Sequence, residues 1–132
     1  MNFYFLDVVD AGVSSSIDWM LILVLAITIV VEALVMLLLR YNSFKKSLLD
    51  AFVVNVASIL VGFLLLKFAH HFFNSYDIPG LLKLLVITIA VELPILYLLN
   101  RKHPFVKTIQ ATVLINIVTY ILFFGFTQLV NR

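Results

Sequence analysis

Four apolar runs dominate this chain, and each is about as long as a bilayer is thick. They cover residues 19–39, 48–66, 81–99 and 106–130, and the second has room to extend to Phe73. A helix needs about 20 mostly apolar residues to cross the hydrocarbon core. The separators RYNSFKK, KFAHHFFNSYDIPG and NRKHPFVK carry most of the charge. Inside lipid every backbone polar group must be satisfied within the protein, which leaves helices or a closed barrel. Runs this long without polar alternation are helices. Short connections then predict an antiparallel four-helix bundle, an all-α integral membrane protein.

Composition supports lipid as the solvent. The chain is 64% hydrophobic and 12% charged, with mean hydropathy +1.16. Soluble domains carry about 25% charged residues. A 132-residue soluble domain has too little interior to hide this much apolar surface. The chain has no cysteine, so disulfides, thiolate metal sites and cysteine nucleophiles are excluded. A net charge of +2 gives no nucleic-acid surface. The partners this implies are the lipid bilayer and other membrane subunits or further copies of the chain.

Lysine and arginine set an expected orientation. Loops 40–47 and 100–107 hold Arg40, Lys45, Lys46, Arg101, Lys102 and Lys107, whereas the opposite side holds Lys67, Lys83 and Arg132. The positive-inside rule places the two basic loops in the cytoplasm of a cell inner (plasma) membrane, with both termini outside. The N-terminal arm, residues 1–17, agrees. Asp7, Asp10 and the adjoining Asp18 give this end negative charge, and no basic side chain opens a signal peptide. Phe3, Tyr4, Phe5 and Leu6 are costly to leave in water, so the arm reads as a frayed end or an interfacial segment. Ser15 or Ser16 is an expected N-cap for the first helix.

The chain also resembles itself. ITIVVE at 27–32 matches ITIAVE at 87–92, an offset of sixty. One inserted residue in the later loop changes the offset to sixty-one. Phe44 then matches Phe105, Lys46 matches Lys107, Ser47 aligns with Thr108, Asn55 with Asn116 and Ser58 with Thr119. This predicts two tandem helical hairpins, 18–73 and 78–131, related by a pseudo-two-fold along the membrane normal. Matches among polar positions argue against chance similarity of apolar helices.

The repeat carries the candidate site. Glu32 lies seven residues before Leu39, Glu92 seven before Leu99, Asn55 seven after Leu48 and Asn116 seven after Ile109. At 1.5 Å per residue all four fall about 10 Å inside the boundary. One turn deeper come Thr28, Thr88, Ser58 and Thr119, on the same helix faces. A lone ionised carboxylate at helix centre costs about 2.5–3.5 kcal/mol on insertion scales, so this layer should face inward. No lysine or arginine sits at its depth. A proton, a metal cation or a ligand amine is then the counter-charge. One reading is a hydrogen-bonded plug that pins helix register. The other is an ion, proton or small-substrate site, and exposed carboxylates awaiting another subunit are a third.

Lesser signals complete the reading. Pro94 aligns with Leu34 and frees the carbonyl of Ala90 near Glu92, which implies a packing kink or a cation site. Adjacent His70 and His71 point about 100° apart and read as surface residues rather than metal ligands. Asp50 lies four residues after Lys46, a local helical ion pair. Gly62 shares a face with Asn55 and Ser58 and predicts close helix packing, with Gly125 in the same role. Pro104 can open the fourth helix. The basic loop residues form a rim that suits anionic headgroups.

No nucleophile–base constellation, phosphate-binding glycine loop or cofactor motif is present in the sequence. The expectation is therefore non-enzymatic: an accessory or structural subunit of a larger membrane assembly. The alternative is a small ion- or proton-coupled channel or transporter working through the glutamate–asparagine layer.

Overall fold

The computed structural model describes residues 19–69 and 78–130. These form four helices: α1 (Trp19–Leu38), α2 (Phe44–Ala69), α3 (Ile78–Leu99) and α4 (Phe105–Val130). No strand occurs among the described residues. The N-terminal arm, His70 and His71 lie outside them.

The helices pack in a closed ring. α1 lies on α2, α2 on α3, α3 on α4, and α4 back on α1, with no diagonal contact among the described residues. Short turns at 39–43 and 100–104 force each joined pair to run antiparallel. Three segments are long and apolar enough to cross a membrane: Phe44–Leu65, Leu82–Leu99 and Phe105–Gly125. The described apolar stretch of α1, Ile22–Leu38, is shorter at 17 residues. Large apolar side chains such as Leu23, Leu38, Leu64, Val86, Val106 and Ile121 are exposed on the outer faces.

Among the described residues the buried side chains lie at one end. Met36, Tyr41, Ala51, Val54, Leu96, Ala111 and Ile115 make the apolar core next to the two short loops. Outward from Thr28, Asn55, Glu92 and Thr119, no described side chain is fully buried. The half near the loops is tightly packed and the far half is not. Gly62 and Gly125 fall in the loose half, and a Cβ added to either meets nothing within 4 Å. The close packing expected at these glycines is therefore not found, because no neighbouring helix approaches them.

The helix ends are locally determined. α1 stops with Arg40 in the left-handed region, at φ 50°. The Arg40 N–H donates to the Leu37 carbonyl and the Tyr41 N–H to the Met36 carbonyl, both at 2.9 Å, the two bonds of a Schellman cap. Glycine is the usual residue there, because a side chain in this conformation costs roughly 1–2 kcal/mol. Tyr41 and Met36 share the core, which supplies the hydrophobic contact that accompanies such caps. At α4, the Pro104 carbonyl accepts from Lys107 and Thr108, so Pro104 stands just before the helix and caps it. α3 continues through Pro94. Pro94 and Ala90 are both exposed on its outer face, away from buried Glu92. The exposed face that carries Pro94 and Ala90 is not the face that carries Glu92.

Candidate functional site

Glu32 and Glu92 are each only 1% exposed. Both face the bundle interior, which removes the reading of lipid-exposed carboxylates awaiting another subunit. Helix period explains the placement. Glu32 sits between Ala33 and Met36 on the buried stripe of α1, and Glu92 shares its stripe on α3 with Leu96.

Each glutamate is held by the asparagine of its own hairpin, in matching geometry. Asn55 donates to Glu32 Oε2 at 2.6 Å and to the Ala51 carbonyl at 2.9 Å. Asn116 donates to Glu92 Oε2 at 2.7 Å and to the Thr112 carbonyl at 3.0 Å. Both amide hydrogens of each asparagine are thereby used. Short distances of this kind mark strong hydrogen bonds to carboxyl groups.

The deeper hydroxyls behave less evenly. Ser58 donates to Glu92 Oε1 at 2.9 Å and so crosses from one hairpin to the other. Thr28, Thr119 and Thr88 bond instead to their own helices, at the carbonyls of Val24, Ile115 and Leu84. Thr88 also meets the Tyr120 hydroxyl at 3.2 Å. Of the four expected hydroxyls, one reaches a carboxyl and three satisfy themselves locally, as Ser and Thr do in helices. The result is two neighbouring sets, Glu32–Asn55 on one side and Ser58–Glu92–Asn116 on the other. Their two carboxyls lie within electrostatic reach of each other. No cation contacts either of them among the described residues.

A second buried cluster lies nearer the loops, and sequence reasoning largely missed it. Asp50 is fully buried. It pairs with Lys46 as expected, but it also accepts from Asn42 and Asn100, each at 2.8 Å. Asn42 donates its other hydrogen to Asn100 Oδ1 at 2.6 Å. Asn100 donates its other hydrogen to the Leu96 carbonyl at 3.1 Å. The carbonyl Oδ1 of Asn42 is then left for His103, whose Nε2 stands 3.3 Å away and must donate. Tyr41 stacks against His103 with ring centroids 4.4 Å apart, and its hydroxyl meets Thr108 at 2.9 Å. The Lys107 ammonium donates to the Arg40 carbonyl at 3.1 Å. These contacts clasp the first loop to the second. Burial pushes the Tyr41 hydroxyl above its ordinary value, opposed by the Thr108 bond. Burial, then the charges of Lys107 and Lys102, lower His103 below its ordinary value.

One signal for this cluster was present in the sequence. Asn42, Asn100 and His103 lie in the two short turns and Asp50 near the start of α2, but only folding shows that the turns meet. Ser47 is the buried side chain left without a partner among the described residues. Its aligned residue Thr108 has Tyr41, whereas the residues aligned with Tyr41, Arg101 and Lys102, are exposed. Among the described residues no group of three or more His, Asp or Glu is placed to hold a metal ion. An apolar groove of about 450 Å³ follows one face of α3, past Pro79, Leu82, Lys83, Val86 and Ile87, remote from both clusters.

Comparison with family models, curated proteins and solved structures finds no match.

Proposed function

We propose that the chain is a small multi-pass membrane protein that serves as a non-enzymatic accessory or structural subunit of a larger membrane assembly. In this reading all four helices span the bilayer as two tandem hairpins related by a pseudo-two-fold. The basic loops face the cytoplasm and both termini lie outside. The observation that carries it is the glutamate layer: two carboxyls, each 1% exposed, are closed off by asparagine donors at nearly equal distances in the two hairpins. A layer sealed in this way fixes register between helices. Nearly all the described mass lies in the helices, so a partner would be met through their apolar faces. Stable co-purification with larger membrane partners in mild detergent is the expected outcome, and a solitary monodisperse species would sink the subunit role. For topology, cysteines at Ser43 and Asn74 should label from opposite sides of the membrane.

A second reading has one observation in its favour. Ser58 carries a hydroxyl of the first hairpin onto the carboxyl of the second, and no lysine or arginine among the described residues neutralises either glutamate. That is the arrangement of a proton- or cation-coupled channel or transporter. In proteoliposomes, Glu32→Gln and Glu92→Gln would then abolish flux while leaving the fold intact. Flux that survives both changes rules this reading out.

A further inference from the structure

Six basic side chains gather at the clasped end of the bundle. Arg40, Lys45 and Lys46 come from the first loop and the start of α2. Arg101, Lys102 and Lys107 come from the second loop and the start of α4. Hydrogen bonds between the loops bring the two sets onto one surface. Asp50 is the one acid in these segments, it is buried, and its ion pair neutralises Lys46 alone. Five positive charges remain uncompensated at this end. Arg40, Lys45, Arg101 and Lys102 are exposed, and none has an ion-pair partner among the described residues.

Two features show that this charge is held against local preference. Lys45 and Lys46 sit in the first turn of α2 and Lys107 in that of α4, where the helix dipole disfavours cations, and neither turn has an acid. Arg40 occupies a left-handed cap position where glycine is the unstrained choice. A side chain kept at a strained position, exposed and unpaired, suggests a use for its charge.

We propose that this joint surface binds the phosphate headgroups of anionic phospholipids, and that one leaflet's lipids thereby bridge the two hairpins. The inference rests on the membrane reading above. Lipid rather than free phosphate is the source because the cations stand at the ends of the apolar segments: Arg40, Arg101 and Lys102 lie just outside them, and Lys45, Lys46 and Lys107 lie within the first three residues of Phe44–Leu65 and Phe105–Gly125, at headgroup level. Each basic group near an anionic surface contributes about fivefold in affinity, and salt screens the attraction.

The test uses the full chain in nanodiscs of phosphatidylcholine, with and without phosphatidylglycerol, read by thermal unfolding and by lipid retention in native mass spectrometry. Phosphatidylglycerol should raise the unfolding temperature and be retained in preference to phosphatidylcholine. Replacing Arg40, Lys45, Arg101 and Lys102 by glutamine should weaken that preference about fivefold per charge removed. Arg40→Gly separates structure from binding: it should unfold at a higher temperature in phosphatidylcholine alone, yet gain less from phosphatidylglycerol than the parent. An inserted chain whose lipid preference is unchanged by the fourfold variant overturns the proposal. So does equal stabilisation by inorganic phosphate. Release of the chain from membranes by alkaline carbonate would instead overturn the membrane reading beneath it.

Discussion

The glutamate layer and the Asp50 clasp stand about 7.5 Å apart along α2, five residues at 1.5 Å each, yet they bury their carboxyl groups by different means. Asp50 has a lysine one turn away on its own helix and two amides from the loops. Glu32 and Glu92 have only neutral donors, all from neighbouring helices. The clasp therefore holds a cation beside its carboxyl, whereas no described cation touches the layer. Symmetry differs as well. The layer is matched across the two hairpins, but Ala111 stands where a second Asp50 would align. The larger asymmetry lies at the clasp, where the two loops are tied together; in the layer it is confined to Ser58, whose counterpart Thr119 bonds its own helix.

The largest expected effect is at the clasp. Asp50→Ala leaves the amides of Asn42 and Asn100 without their shared acceptor inside the packed end. Breaking a buried, hydrogen-bonded ion pair costs about 3–5 kcal/mol, and the low end applies because Lys46 is a third exposed and can rehydrate. Equilibrium unfolding in detergent should show a loss of about 3 kcal/mol. A loss below about 1 kcal/mol, the worth of one ordinary hydrogen bond, would mean the clasp does not hold the loops.

Next come the two asparagines, which separate the halves of the layer. Asn55→Ala removes the one described donor to Glu32 and should cost about 2 kcal/mol. Asn116→Ala leaves Glu92 with Ser58 and should cost about 1 kcal/mol. Equal losses would show that the Ser58 bridge between hairpins contributes nothing.

Legibility in the sequence follows the same division. Glu32, Asn55, Glu92 and Asn116 could be placed on one level from helix rise alone, because each lies in regular structure at a fixed distance from a charged boundary. The helices α1–α4 were legible for the same reason. The partners of the hydroxyls were not. Thr28 and Ser58 differ in which acceptor comes within reach, and that depends on how closely neighbouring helices approach. Nor was the clasp legible, since Asn42 and Asn100 lie 58 residues apart in turns whose meeting is a tertiary event. Spacing gives the Lys46–Asp50 ion pair, but sequence spacing reports a contact and not its depth.

A finer contrast lies between the aligned hydroxyls Ser47 and Thr108. Tyr41→Phe strips Thr108 of its partner across the bundle and should cost about 1 kcal/mol. Ser47→Ala removes a buried hydroxyl that already lacks a partner, so it should be neutral or slightly stabilising. If Ser47→Ala proves as damaging as Tyr41→Phe, an ordered water must complete Ser47, and the two loops are more alike than their side chains indicate.

The smallest effect is a pH dependence at His103. Burial and the nearby charges of Lys107 and Lys102 lower its pKa in the folded chain below the ordinary 6.5. The unfolded chain then binds the proton more readily than the folded one, so stability rises with pH across this window. The contribution is complete above pH 6.5 and declines as pH falls from there through the lowered folded value. Geometry explains why the neutral form is preferred: its Nε2–H already satisfies the Asn42 carbonyl, and a second proton adds charge beside two lysines. The informative quantity is the difference between the parent and His103→Gln. Glutamine can still donate to Asn42 but carries no proton equilibrium. The parent should lose stability relative to His103→Gln as pH drops from 7 to 5. Parallel pH curves for the two proteins would show that His103 is solvated independently of the clasp, and that the second loop is held to the first by Asn100, Lys107 and Thr108 without it.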